Sequence, residues 1–252
     1  MKQDAGFTLV EVAIVVVIIG LLLGGLLMPL ASQVEQHRIS ETQKLLDEVR
    51  EALIGFAIIN DRLPCPATPV DAGFENPGCT VQFGFVPAVT LGLGGSLNQD
   101  RLLLDAWGNP IRYSVTTSDG SAFTTVNGMR NRTMQLLTPN LVVCTTSILS
   151  TAADCAPTPP NPQFRLTVTA VAVLFSMGKN WATPGSFSAD ETANLGNSIA
   201  GGPSGTSYAL PSDRVFVNRT YSTATGNGFD DIVIWLTPAI LYNRMVAAGR
   251  LP

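Results

Sequence analysis

A run of nineteen uncharged residues, Val12 to Leu30, begins near the amino terminus and constrains what the chain can fold into. A helix of that length, rising about 1.5 Å per residue, covers roughly 28 Å, close to the ~30 Å apolar core of a bilayer. The segment is read as able to span a membrane. Ahead of it stand Met1 to Gly6 with a single lysine, Lys2, and no Ala-x-Ala site follows it, so removal by ordinary signal peptidase is not expected. Gly20, Gly24, Gly25 and Pro29 are poor helix residues in water, but membrane helices tolerate them because neighbouring backbones approach closely. Glu11 is the odd residue. A carboxylate costs roughly 2.5–3.5 kcal/mol at mid-membrane, so Glu11 either lies at headgroup level in water or has a partner.

Composition narrows the function classes. The chain has 252 residues, is 46% hydrophobic and 13% charged, and carries a net charge of −4, which leaves no electrostatic footprint for nucleic acid. Its single histidine, His37, sits on a polar helical stretch, and no nucleophile stands with a base and an orienting group. A metallohydrolase or a Ser-His-Asp enzyme is therefore a poor reading. Cys65, Cys79, Cys144 and Cys155 all follow the apolar run and contain no Cys-x-x-Cys pair. Disulfides in an oxidising compartment are expected rather than zinc; three pairings are possible, and proximity favours Cys65 with Cys79 and Cys144 with Cys155.

Along the chain, Leu45, Leu46, Val49, Ala52, Leu53 and Phe56 recur at helical spacing and predict an amphipathic helix over 32–60 that packs on a sheet. Pro64 and Pro66 end it. A Gly108-Asn109-Pro110 turn feeds a strand with alternating Ile111, Tyr113 and Val115. Residues 116–163 read as an inserted hairpin or loop. Phe164 to Gly178 reads as one long strand. Residues 179–228, rich in Gly, Ser, Thr, Asn and Ala, read as a second, exposed insertion before a strand over 229–236. Trp181, Tyr208, Phe216 and Tyr221 in or near it are either core or a binding face. Thr237 and Pro238 suit a helix cap and first turn, and Gly249 a stop.

Gly6-Phe7-Thr8-Leu9-Val10-Glu11 followed by an apolar helix resembles the class III signal of type IV pilins and type II secretion pseudopilins. Leu102 to Val115 carries Asp105-Ala106-Trp107-Gly108-Asn109-Pro110, which resembles the Asp-Pro-Trp-Gly-Asn-Pro segment of major pseudopilins with Ala106 in place of their first proline. Ser176-Met177-Gly178 and Asp231-Ile232 resemble the Ser-x-Gly and Asp-Ile strands of the same family.

The resemblance implies an α+β fold: a long amino-terminal transmembrane and amphipathic helix packed on a small antiparallel sheet head with large loop insertions. It divides the chain into a leader (1–6), a transmembrane and assembly helix (7–31) and a periplasmic or extracellular head (32–252). It implies cleavage after Gly6 by a prepilin peptidase, N-methylation of Phe7, and a role for Glu11 in meeting the amino-terminal ammonium of a neighbouring subunit. The implied partners are that peptidase, other pilin or pseudopilin subunits, an inner-membrane assembly platform and the membrane itself. The implied location is the inner membrane with a periplasmic head, then a periplasmic or cell-surface filament. Major pseudopilins bind calcium between their Ser-x-Gly and Asp-Ile strands. Asp230 and Asp231 stand at the matching end here, with Asp190, Glu191 and Asp213 in the insertion; no other cofactor is expected. The expected function is a non-enzymatic filament subunit, minor or tip-associated because its insertions would crowd a dense filament surface. The alternatives are a membrane-anchored enzyme, or a surface-binding adhesin, sharing only the export signal.

Overall fold

The structure is a computed structural model that describes residues 8–132, 134–147, 155, 164–182, 187–195, 214–224 and 227–251, with the side chains of 22–31 outside the description. The chain is α+β and divides into two compact units, Met1–Glu41 and Thr42–Pro252, to both of which helix α1 (Leu9–Asn60) contributes. α1 is helical through Pro29.

In the first unit the described apolar side chains project outward all round α1. Leu9 is 87% exposed, Leu21 73%, and even Ile19, one of the least exposed, 48%. Among the described residues no helix is long and apolar enough to cross a membrane. The span expected over 7–31 includes side chains that lie outside the description.

The second unit contains β1 (Phe83–Phe85), α2 (Ala88–Leu91), β2 (Arg112–Val115), the short turns α3 (Ser118–Ser121) and α4 (Gly128–Asn131), and β3 (Leu141–Cys144). There follow β4 (Arg165–Ala170), β5 (Ala172–Ser176), α5 (Ala189–Leu195), β6 (Val215–Val217), β7 (Ile232–Leu236) and α6 (Pro238–Ala247). A four-stranded sheet in the order β1-β2-β5-β7 is antiparallel throughout. A three-stranded sheet, β4-β3-β6, is mixed, because β3 pairs antiparallel with β4 and parallel with β6.

Leu46, Val49, Leu53 and Ala57 of α1 are fully buried and share one core with Tyr113 and Val115 of β2, Leu174 of β5 and Leu236 of β7. Their spacing puts them on one face. Thr237 caps α6 by accepting the Ile240 N–H at 3.4 Å, and α6 adds Leu241 and Met245 to the same core, while Ile240 and Val246 stay partly exposed.

Three expectations are corrected. Phe164 to Gly178 is two strands, not one. The chain breaks at Val171, whose N–H donates to Leu236 O and whose carbonyl accepts from Thr116 N, so β4 runs into one sheet and β5 into the other. Residues 116–163 are more than a hairpin or loop, since Leu141-Val142-Val143-Cys144 forms the central strand of the second sheet. The described parts of 179–228 are not uniformly exposed: Trp181, Leu195 and Phe216 join a core with Phe175 and Val233, while Tyr221 is exposed. Tyr208 and Asp213 lie outside the described residues.

Disulfides join Cys65 to Cys79 and Cys144 to Cys155. Beside the first, Arg62 makes a two-pronged pair with Glu75 at 2.7 Å on each nitrogen, and Glu75 also accepts the Cys65 N–H at 3.1 Å. Burial pushes the Glu75 carboxyl up, but the Arg62 hydrogen bonds, the Cys65 N–H and the Arg62 charge outweigh it and leave it below the usual carboxylate range. A depressed pKa contributes stability that is present above the unfolded value and lost as pH falls through the folded one. Glu75→Gln should therefore cost about 1–3 kcal/mol at neutral pH, and that gap should narrow only as pH falls below the usual carboxylate range, where the wild-type carboxyl at last takes up its proton. Denaturant unfolding of the two proteins across pH 3–7 measures both effects.

Candidate functional site

Two places in the structure carry chemistry. The first is the start of α1. Thr8 precedes the helix, and its hydroxyl accepts the Glu11 N–H at 3.3 Å while Glu11 Oε2 accepts the Thr8 N–H and the Thr8 hydroxyl, each at 2.8 Å. This is a capping box: two side chains three residues apart satisfy backbone donors that the first helical turn leaves open. Glu11 is thus held at the very beginning of the apolar helix, among exposed Leu9, Val10, Val12 and Ile14. Gly6 and Phe7 lie outside the described residues.

The second place is the end of the head sheet where β5 finishes and β7 begins. The turn before β2 and the end of β5 are fastened together there. Asp105 is buried, its Oδ1 accepting the Trp107 and Asn109 N–H groups at 2.9 and 2.8 Å and its Oδ2 accepting the Ser176 hydroxyl at 2.5 Å. Asn109 in turn donates to the Gly178 carbonyl at 2.5 Å. The Asp-Ala-Trp-Gly-Asn-Pro and Ser-Met-Gly segments, separate in sequence, are one hydrogen-bonded joint. Burial pushes the Asp105 carboxyl up, opposed by the Ser176, Asn109 and Trp107 donors.

From that joint the chain turns at Gly178, with φ +64°, and a Cβ there would collide with the carboxylate and, at 2.5 Å, the carbonyl of Asp230. Only glycine leaves this space, and the left-handed conformation is costly for other residues. Asp230 Oδ2 accepts the Lys179 and Asn180 N–H groups at 3.1 and 3.0 Å. Asp231, 6% exposed, accepts from Asn194 Nδ2 at 2.7 Å through Oδ2, and its buried Oδ1 has no hydrogen-bond partner. Glu191, fully buried on α5, accepts from Asn180 Nδ2 at 3.1 Å, Asp230 N at 3.0 Å and Ser188 N at 2.7 Å.

Glu191, Asp230 and Asp231 each offer a carboxylate oxygen, all within 4.8 Å of one another. Burial pushes the Asp231 carboxyl well above the usual range; the Asn194 hydrogen bond opposes this, and the Glu191 and Asp230 charges add to it. Three hard oxygens converging on one point, one of them buried without a donor, fit a divalent cation. The sequence places Asp230 and Asp231 side by side, and the structure adds Glu191, about forty residues upstream, which sequence reasoning named only as an available ligand. Asp190, named with it, faces elsewhere and pairs with Arg219.

The first 27 residues match the prokaryotic N-terminal methylation motif. That motif is the type IV pilin and pseudopilin signal. It supports a pilin-like or pseudopilin-like secreted subunit, a structural class of protein, with membrane-anchored export to the periplasm or surface. It likewise implies processing by a prepilin peptidase and assembly with other pilin subunits. No curated protein and no solved structure matches the chain.

The joint gives a direct test. Gly178→Ala should destabilise the head by about 1–3 kcal/mol through its φ alone, and more through the collision with Asp230, read as a lower denaturant midpoint at unchanged slope.

Proposed function

We propose that the protein is a structural subunit of a type IV pilus-like or type II secretion filament, cut after Gly6, N-methylated on Phe7 and assembled through residues 7–31. The observation that carries this reading is the start of α1: a methylation motif joined to a helix whose described apolar side chains, Leu9 to Leu21, are exposed on every side. Water is an unfavourable neighbour for such a surface, at about 25 cal/mol per Å² of apolar area. A bilayer before assembly, and a bundle of like helices after it, both remove the cost. In this reading Glu11, held by Thr8 in the single chain, meets the Phe7 ammonium of the next subunit. A charge pair in an apolar bundle selects register, because a slip leaves both charges unpaired. The insertions favour a minor or tip-associated place. The peptidase and the inner-membrane platform are its partners.

The reading is tested by mass spectrometry of the amino terminus of protein taken from its native membrane or filament fraction. A chain beginning at N-methylated Phe7 is expected. A chain still beginning at Met1 in cells with active prepilin peptidase would overturn it. Glu11→Val should leave processing intact and reduce incorporation into filaments by tenfold or more, measured by quantifying the subunit in sheared or purified filaments.

We propose also that the head takes calcium at Glu191, Asp230 and Asp231. The support is the converging carboxylates and the unpartnered Asp231 Oδ1. Remaining positions of a six- to eight-coordinate ion would be filled by backbone carbonyls or water. Calcium at a hundredfold excess over its dissociation constant should raise the melting temperature by roughly 5–10 °C, and Asp231→Asn should abolish the rise.

A further inference from the structure

Asp190 and Glu191 are consecutive on α5, so their side chains leave the helix roughly 100° apart and engage different parts of the head. Glu191 reaches the carboxylate cluster at the start of β7. Asp190, 3% exposed, reaches the other way: its Oδ1 accepts the Ser147 N–H at 2.6 Å, the Ser147 hydroxyl at 2.8 Å and the Thr146 hydroxyl at 3.1 Å, and its Oδ2 lies 3.0 Å from Arg219 Nε. Thr146 and Ser147 lie two and three residues after Cys144, which is buried and closed to Cys155 by the second disulfide. Three residues further along α5, Asn194 completes the span. It donates to Asp231 Oδ2 at 2.7 Å and to Val217 O at 3.0 Å, and its Oδ1 accepts the Val217 N–H at 2.7 Å.

α5 therefore bridges the acidic end of the four-stranded sheet to β6 and to the disulfide-closed segment after β3. It has only seven residues, too short to hold a helical conformation on its own. Leu195 seats its end in the core beside Trp181 and Phe216, and its polar side chains set what the rest of it touches. On the cluster side Glu191 holds the Asp230 N–H and Asn194 holds Asp231, but those bonds also bring the carboxylate oxygens of Glu191, Asp230 and Asp231 within 4.8 Å of one another at a buried site, where each ionised pair repels. A cation at that point turns the same three carboxylates from a source of repulsion into shared ligands.

We infer that the cation is a clamp on the insertion: by drawing Glu191 to Asp230 and Asp231 it fixes α5, and through Asp190 it fixes the disulfide-closed segment at Thr146 and Ser147. This inference rests on the calcium reading above and adds to it a direction of control. The inserted surface of the head is presented in one arrangement when the cation is bound, and is loosened when it is stripped.

Hydrogen–deuterium exchange of the full chain in detergent, with calcium and with chelator, tests the clamp alongside calorimetric titration with calcium. In the wild type, calcium should slow exchange tenfold or more both in peptides covering α5 and in peptides covering Leu141 to Ser147, with β2 and β5 unchanged. Asp190→Ala should bind calcium within about twofold of the wild-type affinity and protect α5, yet leave the Leu141 to Ser147 peptides unresponsive. The double variant Thr146→Ala, Ser147→Pro removes both hydroxyl donors and the Ser147 N–H without changing a residue of α5, and should give the same separation should Asp190→Ala fail to fold. Calcium binding in the wild type with no protection at Leu141 to Ser147, or protection there that survives both variants, would overturn the clamp and leave the site standing. An absence of calcium binding by calorimetry would overturn both.

Discussion

The head depends on one buried stripe. Thr42, Leu46, Val49, Leu53 and Ala57 lie on a single face of α1 with no exposed surface, and both the strands of the antiparallel sheet and α6 close on that face. Each fully buried Leu or Val contributes about 1.5–3 kcal/mol relative to an exposed one, so the stripe is a major part of the head's stability. Polar contacts then set where the strands lie along it. Thr42 Oγ1 accepts the Ala106 N–H at 3.2 Å, which fixes the Asp105 turn against α1, and Tyr113 donates from the core to the Pro64 carbonyl at 3.0 Å, which fixes the chain where it leaves α1. Burial supplies the free energy and these few bonds supply the register, since a wrong register would leave the Tyr113 hydroxyl buried without a partner.

The elements legible in the sequence are those specified by local physics. The α1 stripe follows from 3.6-residue periodicity, the α6 start from a Thr-Pro pair, and the β2 start from a Gly-Asn-Pro turn. Short disulfide loops follow from cysteine spacing. The amino-terminal signal is local in the same sense: all of it lies in a few consecutive residues. What could not be read locally is where a strand changes sheets. Residues 164–178 have unbroken β propensity, and only the hydrogen bonds of Val171 to Leu236 and Thr116, 65 and 55 residues away, divide them. The strand Leu141 to Cys144 was concealed for a related reason. A four-residue apolar run carries no periodicity, and its partner β6 lies about seventy residues on, in a stretch that polar composition marks as a loop. Composition misled again at α5, where Asp190, Glu191 and Asn194 look solvated and are buried.

Those buried polar residues separate into two kinds by their donors. Asp105 is surrounded: two backbone N–H groups and the Ser176 hydroxyl face its two oxygens, so its burial is structural and it ties two strands that the sequence keeps far apart. Asp190 is likewise answered, by Ser147, Thr146 and Arg219. Asp231 is not. One oxygen has Asn194 and the other is buried with none, in the company of two more carboxylates. An interior that supplies donors to Asp105 and Asp190 and withholds one from Asp231 has a gap of defined sign and position. A buried carboxylate oxygen without a donor costs more than the bond it lacks, and the cost is removed by protonation, by a donor such as a bound water, or by a cation. Protonation would idle the convergence of Glu191 and Asp230 on the same point. A divalent ion uses all three, which is why the arrangement of donors, more than the number of acidic residues, argues for a ligand there.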